Sequence, residues 1–519
     1  MIGLLIQDNA YEQDIRELLM SFYPGETYAH EVKENIDFYV QTRLKDGEAV
    51  IGIWEKLENG EESAGAAVNA AGVEAKDSAV AVEKQTDSNM SAPEGLEGWT
   101  LTAHFAGKAD LSDHSATKNV IKKLFYQMLV GRTGHKLPWG SLTGIRPTKI
   151  ALSRLEAGWK EDDIRRFMKE TYMTSDEKIN LSVEIAAREK RLMEPINYDS
   201  GYSLYVGIPF CPTTCLYCSF TSYPISKWKG RTGLYLEALF KELEYTAEKM
   251  KGRPLDTIYF GGGTPTSLPA EDIDAILCKS EQLFDTKNVL EFTVEAGRPD
   301  SITEEKLKVL ASHGISRISI NPQTMNQKTL DLIGRRHTVE NVKEKFHMAR
   351  ALGFDNINMD LIMGLPGEDL DDVKHTLEEI EALKPDSLTV HSLAIKRAAR
   401  LNMFKEEYAD LKISNTPEMI ALSEACARRM GMEPYYLYRQ KNMAGNFENV
   451  GYSLPGKACI YNILIMEELA TIVACGAGTT TKVVFPSENR RERCENVKEV
   501  EQYISRIDEM IGRKEKILY

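Results

Sequence analysis

From Ser203 to Leu393 the chain repeats one pattern: a short β-rich apolar run, then an amphipathic stretch of helical period. The apolar runs fall at 204–208, 257–260, 290–295, 317–320, 356–362 and 387–393. Helical spacing fills the gaps between them, most clearly at 233–250, 303–313, 339–352 and 370–383. Strands separated by whole helices are not joined as hairpins, so the alternation predicts an α/β fold with a parallel sheet and crossover helices. Six such units suit a partial (β/α)6 barrel, with an open edge at the sixth strand. In folds of this kind chemistry gathers at the C-terminal ends of the strands.

Just past the first run stands Gly207-Ile-Pro-Phe-Cys-Pro-Thr-Thr-Cys-Leu-Tyr-Cys-Ser-Phe220, with Cys211, Cys215 and Cys218 spaced C-x3-C-x2-C. Soft thiolates this close together read as ligands for a soft metal. A structural zinc site is closed by four protein ligands, and the next histidine in sequence is His313. Three thiolates hold three irons of a [4Fe–4S] cube and leave the fourth iron open to a ligand; zinc is the rival reading. Cys278, Cys426, Cys459, Cys475 and Cys494 fall in no ligand spacing. Eight cysteines in 519 residues are no disulfide framework, and beside a cluster they point to a reducing cytoplasm.

Other polar residues fall at the ends of the later runs. Gly261-Gly-Gly-Thr-Pro-Thr266 follows the second, where glycines let a ligand approach the backbone or simply make a tight turn. Glu295 ends the third. Gln323, whose amide both donates and accepts, follows the fourth. Arg335 and Arg336 are adjacent, and either could clamp a carboxylate. Asp360 lies within the fifth, where an acid facing a barrel interior calls for a polar ligand.

The cysteine spacing, with Tyr217 as the aromatic before the last cysteine, resembles the radical S-adenosylmethionine (SAM) superfamily. Tyr205-Val-Gly-Ile-Pro-Phe-Cys211 is similar to the oxygen-independent coproporphyrinogen oxidase family, which has HemN, HemW and HemZ branches. The resemblance covers about residues 203–395 and implies a radical-SAM partial barrel whose open iron chelates the amino and carboxylate groups of SAM. One electron would then split the sulfonium to a 5′-deoxyadenosyl radical. The Gly-Gly-Gly-Thr-Pro-Thr run matches the family segment whose backbone receives the SAM amino group, and Glu295 matches its ribose-binding acid. HemN proteins bind two SAM molecules. By residue match Tyr205, Gly262 and Glu295 would face the first, and Gly263, Thr264, Gln323, Arg335 and Asp360 the second. This chain has Phe220 where HemN has a fourth cysteine, and Gly207 where HemN and HemW have histidine. Those departures, with a long N-terminal extension, look most like the HemZ branch.

The flanks carry fewer signals. Residues 1–195 read as an N-terminal α+β and helical domain, with strands near 3–7, 36–43, 50–54 and 99–105 and a helix near 11–22. The Ala-, Gly-, Glu- and Ser-rich segment 58–97 lacks apolar periodicity and reads as a disordered insertion, the alternative being an Ala-rich surface helix. Residues 115–150 hold seven Lys or Arg and no acid, which suits either an anion site or a solvated helix face with a packing loop. The barrel is expected over 196–400 and a small C-terminal domain over 401–519, with a helix near 415–430 and short strands or turns at 435–438 and 472–478.

The net charge of −14 argues against general affinity for nucleic acid. No apolar run reaches the roughly 18 residues of a membrane span, and Asp8, Glu12 and Asp14 do not suit a secretory signal. The family resemblance implies a cytoplasmic haem-pathway oxidoreductase that decarboxylates coproporphyrinogen III to protoporphyrinogen IX, fed by a donor such as flavodoxin or ferredoxin. Arg146, Lys149, Lys396 and Arg397 are candidate partners for the substrate carboxylates. The alternatives are a haem-binding carrier like HemW and a radical enzyme acting on RNA through the basic 115–150 stretch.

Overall fold

The computed structural model describes the chain except residues 34, 57–91, 145, 221, 397–398, 404–411, 441–446 and 519. The chain divides into two compact units, 1–147 with 153–183, and 148–152 with 184–519.

The first unit is built on a five-stranded sheet. Its strand Ile2–Ile6 pairs in parallel with Tyr28–Ala29 on one side and Phe38–Lys45 on the other. Glu48–Glu55 and Thr100–Lys108 continue the sheet antiparallel. Helices Glu12–Phe22 and His114–Thr133 lay Ile15, Leu19, Leu124 and Phe125 against Val40 and Ile51 of the sheet. The second helix begins where the Asp113 carboxylate accepts from Ser115 N–H and Ala116 N–H, and it stops at Gly134 in the left-handed conformation.

The basic stretch is partly internal to this unit. Lys122 is buried; its Nζ donates to Thr143 Oγ1 at 2.6 Å and lies 3.6 Å from Asp14. Arg132 pairs with Glu55 at 2.8 Å and covers the Phe38 ring. Most of the expected insertion at 58–97 lies outside the described residues; within its described end, Leu96 is buried beside Ile36, Tyr39 and Trp54.

The second unit carries an eleven-stranded sheet. Six parallel strands form its centre: β1 (Tyr202–Ile208), β2 (Leu255–Gly262), β3 (Glu291–Gly297), β4 (Arg317–Ile320), β5 (Ile357–Met363) and β6 (Ser387–Ser392). They lie side by side in chain order, joined by crossover helices. Parallel strands covered on both faces usually read as continuous apolar runs. Here they alternate. Leu204, Ile258, Val294, Ile318, Leu361 and Leu388 are buried on one face, each such burial contributing about 1.5–3 kcal/mol. The other face is polar and bonded to itself across the strands. Thr257 donates to Ser203 at 2.8 Å, Tyr259 to Glu295 at 2.5 Å, Thr389 to Asn358 at 3.1 Å and Arg317 to Ser387 at 3.3 Å.

The sixth strand does not leave an open edge. Asn449–Ser453 pairs antiparallel with β6, and Glu433–Tyr438 lies beyond it. At the other edge Thr471–Cys475 pairs in parallel with β1, followed by the hairpin Thr480–Phe485 and Arg490–Glu495. The two main-chain edges that a partial barrel exposes are thus taken up by residues after 400. Those residues, expected as a small C-terminal domain, lie in the same compact unit as the barrel strands.

The last helix, Ile507–Glu515, is anchored by a buried ion pair between Lys514 Nζ and Glu242 at 2.6 Å. Glu242 also accepts from Tyr503 at 2.5 Å, Gly476 N–H at 2.7 Å and Asn496 at 2.7 Å, so its lone pairs are filled. Among the described residues no helix is long and apolar enough to cross a membrane.

Candidate active site at the strand ends

The cysteine loop leaves the C-terminal end of β1. Phe210–Cys211 pairs with Tyr223–Pro224 and closes the loop at its base. Cys215 is buried, Cys211 and Cys218 are half-buried, and all are free thiols. Neighbouring strand ends hold the loop from several sides. Leu216 N–H donates to Ile333 O at 3.0 Å, and Thr213 Oγ1 to Gly334 O at 3.0 Å. Thr264 Oγ1 lies 3.6 Å from Cys211 Sγ. Loss of water pushes the Cys211 thiol up and the Cys218 thiol up to about 11, so their thiolate forms need a positive partner such as iron.

Two glycines explain why β1 and β2 end as they do. A Cβ on Gly263 would stand 2.5 Å from Phe210 O, so glycine alone lets the end of β2 touch the cysteine strand. Gly263 N–H bonds Ile208 O at 2.8 Å and Thr264 N–H bonds Phe210 O at 2.7 Å. With those donors taken, a ligand amino group here would be met by carbonyl oxygens. A Cβ on Gly207 would run into the Thr479 methyl, and Gly207 O accepts from Tyr235 Oη at 2.5 Å. The turn between Thr471–Cys475 and Thr480–Phe485 therefore occupies the space that a larger residue at 207 would need.

Across the barrel mouth stand two carboxylates with opposite shifts. Glu295 has lost water and is pushed up to about 7, against the Tyr259 hydroxyl that donates to it. Tyr259 stacks on Tyr205 and Tyr461, with centroids 6.0 and 4.4 Å away, which fixes its hydroxyl. Burial also acts to raise Asp360, but His391, Asn358 and Arg317 outweigh it and hold the carboxyl below its usual range. Asn358 Nδ2 donates to Asp360 at 2.7 Å and His391 Nε2 lies 3.9 Å away. Groups pushed apart in this way are a common signature of a working site.

Gln323 is tied to β5: its N–H bonds Asp360 O at 2.9 Å and its carbonyl accepts from Ile362 N–H at 3.0 Å. Its φ is +70°, a strained value for a residue with a Cβ. Its side-chain Oε1 is buried with no hydrogen-bond partner among the described residues, as are Ser319 Oγ and Asn321 Oδ1. Orphaned polar atoms on one strand end fit a polar ligand such as SAM.

Of the two adjacent arginines, Arg335 is buried and Arg336 exposed. Arg335 does not present an empty fork. It donates to Asn321 O at 2.5 Å and to Tyr217 Oη at 3.3 Å, and it also bonds Cys215. Phe220 is 71% exposed, with Lys396 Nζ 5.8 Å from its ring centroid. Arg397 lies outside the described residues. Arg146 belongs to the first unit and Lys149 to the second.

Sequence reading missed a layer beneath the cysteine loop. Arg298 is buried; its Nη1 lies 3.7 Å from Cys215 Sγ and donates to Thr213 O at 2.9 Å. Asp300 grips the other side of the guanidinium at 2.6 and 3.0 Å. His337 lies 3.9 Å from Asp300, and burial holds it neutral, down to about 3. Tyr259 was missed as well, although counting back by twos from Gly261 would have placed it on the inward face. Arg298 has no such signal, because it lies beyond the regular strand.

The radical SAM superfamily model matches residues 205–380. Over 445 residues the chain is 42% identical to the oxygen-independent coproporphyrinogen-III oxidase-like protein HemZ of Bacillus subtilis, spanning 84% of this chain and 88% of that one. The heme chaperone HemW of the same organism is 38% identical over 195 residues, 37% of this chain and 51% of its own. The solved coproporphyrinogen III oxidase HemN of Escherichia coli superposes with a TM-score of 0.49 at 22% identity, covering 62% of this chain and 72% of that one. The cofactors of the superfamily, a [4Fe–4S] cluster and SAM, suit the three free thiols and the orphaned polar atoms around them. With most of its length aligned at this identity, the chain belongs to the radical SAM superfamily and, within it, to the HemZ-type coproporphyrinogen-III oxidase-like family of oxidoreductases.

Proposed function

We propose that this protein carries out the oxygen-independent oxidative decarboxylation of coproporphyrinogen III to protoporphyrinogen IX. The observation that carries the reading is its 42% identity to the HemZ oxidase-like protein, over 88% of that relative's length. In each round a propionate gives one hydrogen atom to the 5′-deoxyadenosyl radical, then loses carbon dioxide as one further electron passes to a one-electron acceptor, leaving a vinyl group. Cys211, Cys215 and Cys218 would hold the cluster, and when bound the cluster and SAM supply a hydrogen-atom acceptor under strongly reducing conditions.

The chain's own residues bind and orient. Glu295, aimed by Tyr259, would accept from ribose hydroxyls of a first SAM, beside Tyr205 and the Gly262 backbone. Gly263, Thr264, Gln323 and Asp360 would meet a second. Arg335, turned toward Tyr217 and Cys215, would bridge that second ligand and the cysteine loop. The exposed Phe220 ring with Lys396 beside it offers a stacking face and a cation, which suits a flat tetrapyrrole bearing carboxylates. A flavodoxin or ferredoxin would supply the electron.

A heme-carrier role is the second reading, favoured by the 38% identity to a HemW chaperone over 195 residues and by Phe220 in place of a fourth cysteine. The test is anaerobic reconstitution with SAM, a reductant and coproporphyrinogen III, followed by mass spectrometry. The proposal expects 5′-deoxyadenosine together with mono- and divinyl products. Formation of 5′-deoxyadenosine with no vinyl product, alongside stoichiometric haem binding, would favour the carrier. RNA as substrate has less support, since Lys122 and Arg132 of the basic stretch are engaged within the first unit.

A further inference from the structure

A second group of metal-type ligands lies away from the cysteine loop. Helix Ala270–Leu283 follows β2 and carries Asp274, Cys278 and Glu281 at spacings of four and three, so they share one face. Helix Glu304–Ser312 follows β3 and ends at His313, just before β4 begins. The group therefore sits toward the N-terminal ends of the strands, the end of the barrel opposite the cysteines.

His313 Nε2 lies 3.0 Å from Asp274 Oδ1, and Cys278 Sγ lies 3.9 Å from Asp274 Oδ2. One ligand atom from each of Asp274, Cys278 and His313 falls within 4.8 Å of the other two. A tetrahedral zinc bonded at about 2.0–2.3 Å holds its ligand atoms roughly 3.2–3.8 Å apart, so only small side-chain shifts would close this set around an ion. The fourth group completes the pattern. Glu281 Oε1 lies 2.8 Å from His313 Nδ1, so with a cation bound this carboxylate would hold the proton on Nδ1 and leave the Nε2 lone pair to the ion. The imidazole is confined, at 9% exposure, while Asp274 is half exposed and leaves a fourth coordination position open to water.

We propose that Asp274, Cys278 and His313 bind one divalent cation of the zinc class, with Glu281 as the positioning residue for His313. A mixed sulfur, nitrogen and oxygen set of this kind selects zinc over magnesium or calcium, which take oxygen. The bland reading is an imidazolium paired with two carboxylates. There the Cys278 thiol would only donate weakly to Asp274 at 3.9 Å, whereas a bound cation would take its thiolate as a ligand.

The test uses the reconstituted holoenzyme, given zinc chloride anaerobically and passed over a desalting column, with zinc and iron measured separately. One zinc per chain should remain with iron unchanged, and Cys278→Ser or His313→Ala should lower it at least tenfold. Glu281→Gln should weaken zinc binding by about 10–100-fold. X-ray absorption at the zinc edge should show a single sulfur neighbour at about 2.3 Å with nitrogen or oxygen neighbours at about 2.0 Å. Each variant should still melt cooperatively as a folded protein when zinc is absent, which separates lost binding from lost fold. No retained zinc in the folded protein, the same zinc content in Cys278→Ser, or several sulfur neighbours from occupation of the cysteine loop would each overturn the proposal.

Discussion

The Arg298 guanidinium lies 3.7 Å from the Cys215 sulfur, and the opposite edge of the same guanidinium is held by Asp300 at 2.6 Å. Both Arg298 and Cys215 are buried, so little water screens the contact. A positive group there stabilises the more negative, reduced form of a cluster ligated by Cys215. Arg298→Met should lower the cluster midpoint potential by tens of millivolts, about 60 mV for each tenfold change in the one-electron equilibrium. An EPR-monitored redox titration reads this directly. An unchanged potential would leave Arg298 as a packing residue of the loop.

Cluster ligation should rest on three cysteines. Alanine at Cys211, Cys215 or Cys218 should abolish bound iron and sulfide after reconstitution. Alanine at Cys426, Cys459, Cys475 or Cys494, which are buried elsewhere in the fold, should leave both unchanged. Full iron content in Cys215→Ala would remove the assignment.

Glu295 should control SAM affinity. Removing a bond to a ribose hydroxyl costs roughly 1–3 kcal/mol, so Glu295→Ala should weaken binding about five- to a hundredfold while keeping the cluster. Because Glu295 is pushed up to about 7, its ionised, accepting form grows as pH rises through neutrality. SAM affinity should rise over that range in the parent and stay flat in Glu295→Gln, as measured by equilibrium binding.

The same shift has a stability consequence of opposite sign. A carboxyl raised in the folded state favours folding below its ordinary value near 4.5, and that contribution is lost as pH climbs to about 7. Denaturant titrations of SAM-free protein should show this loss between those values, and Glu295→Gln should remove it.

The Glu242–Lys514 pair should be costly to break. Lys514→Met leaves a buried carboxylate without its cation and should destabilise the protein by about 3–5 kcal/mol. Adding Glu242→Gln should recover part of that loss. A stability change below about 1 kcal/mol in the single variant would mean that water reaches Glu242.

The six central strands were legible because period-two runs such as 204–208 and 257–260 report a local preference that burial reinforces. Cys211, Cys215 and Cys218 were legible because ligand spacing within one short loop needs no tertiary information. The fate of residues after 400 was not. Thr471–Cys475 reads as an isolated apolar run, and only pairing with β1 makes it the neighbour that closes an edge. Gly207 looks like a departure from relatives until Thr479 arrives beside it from the turn before strand Thr480–Phe485, 272 positions later in the chain. Arg298 beside Cys215, and His313 beside Asp274 and Cys278, are likewise meetings of residues from different crossover units. Local sequence therefore determined the periodicity, the helix caps and the cysteine loop, since these depend on bonds within a few residues. Tertiary structure decided which strand covers an edge and which charge meets which sulfur, because those contacts arise when distant segments compete for the same buried space.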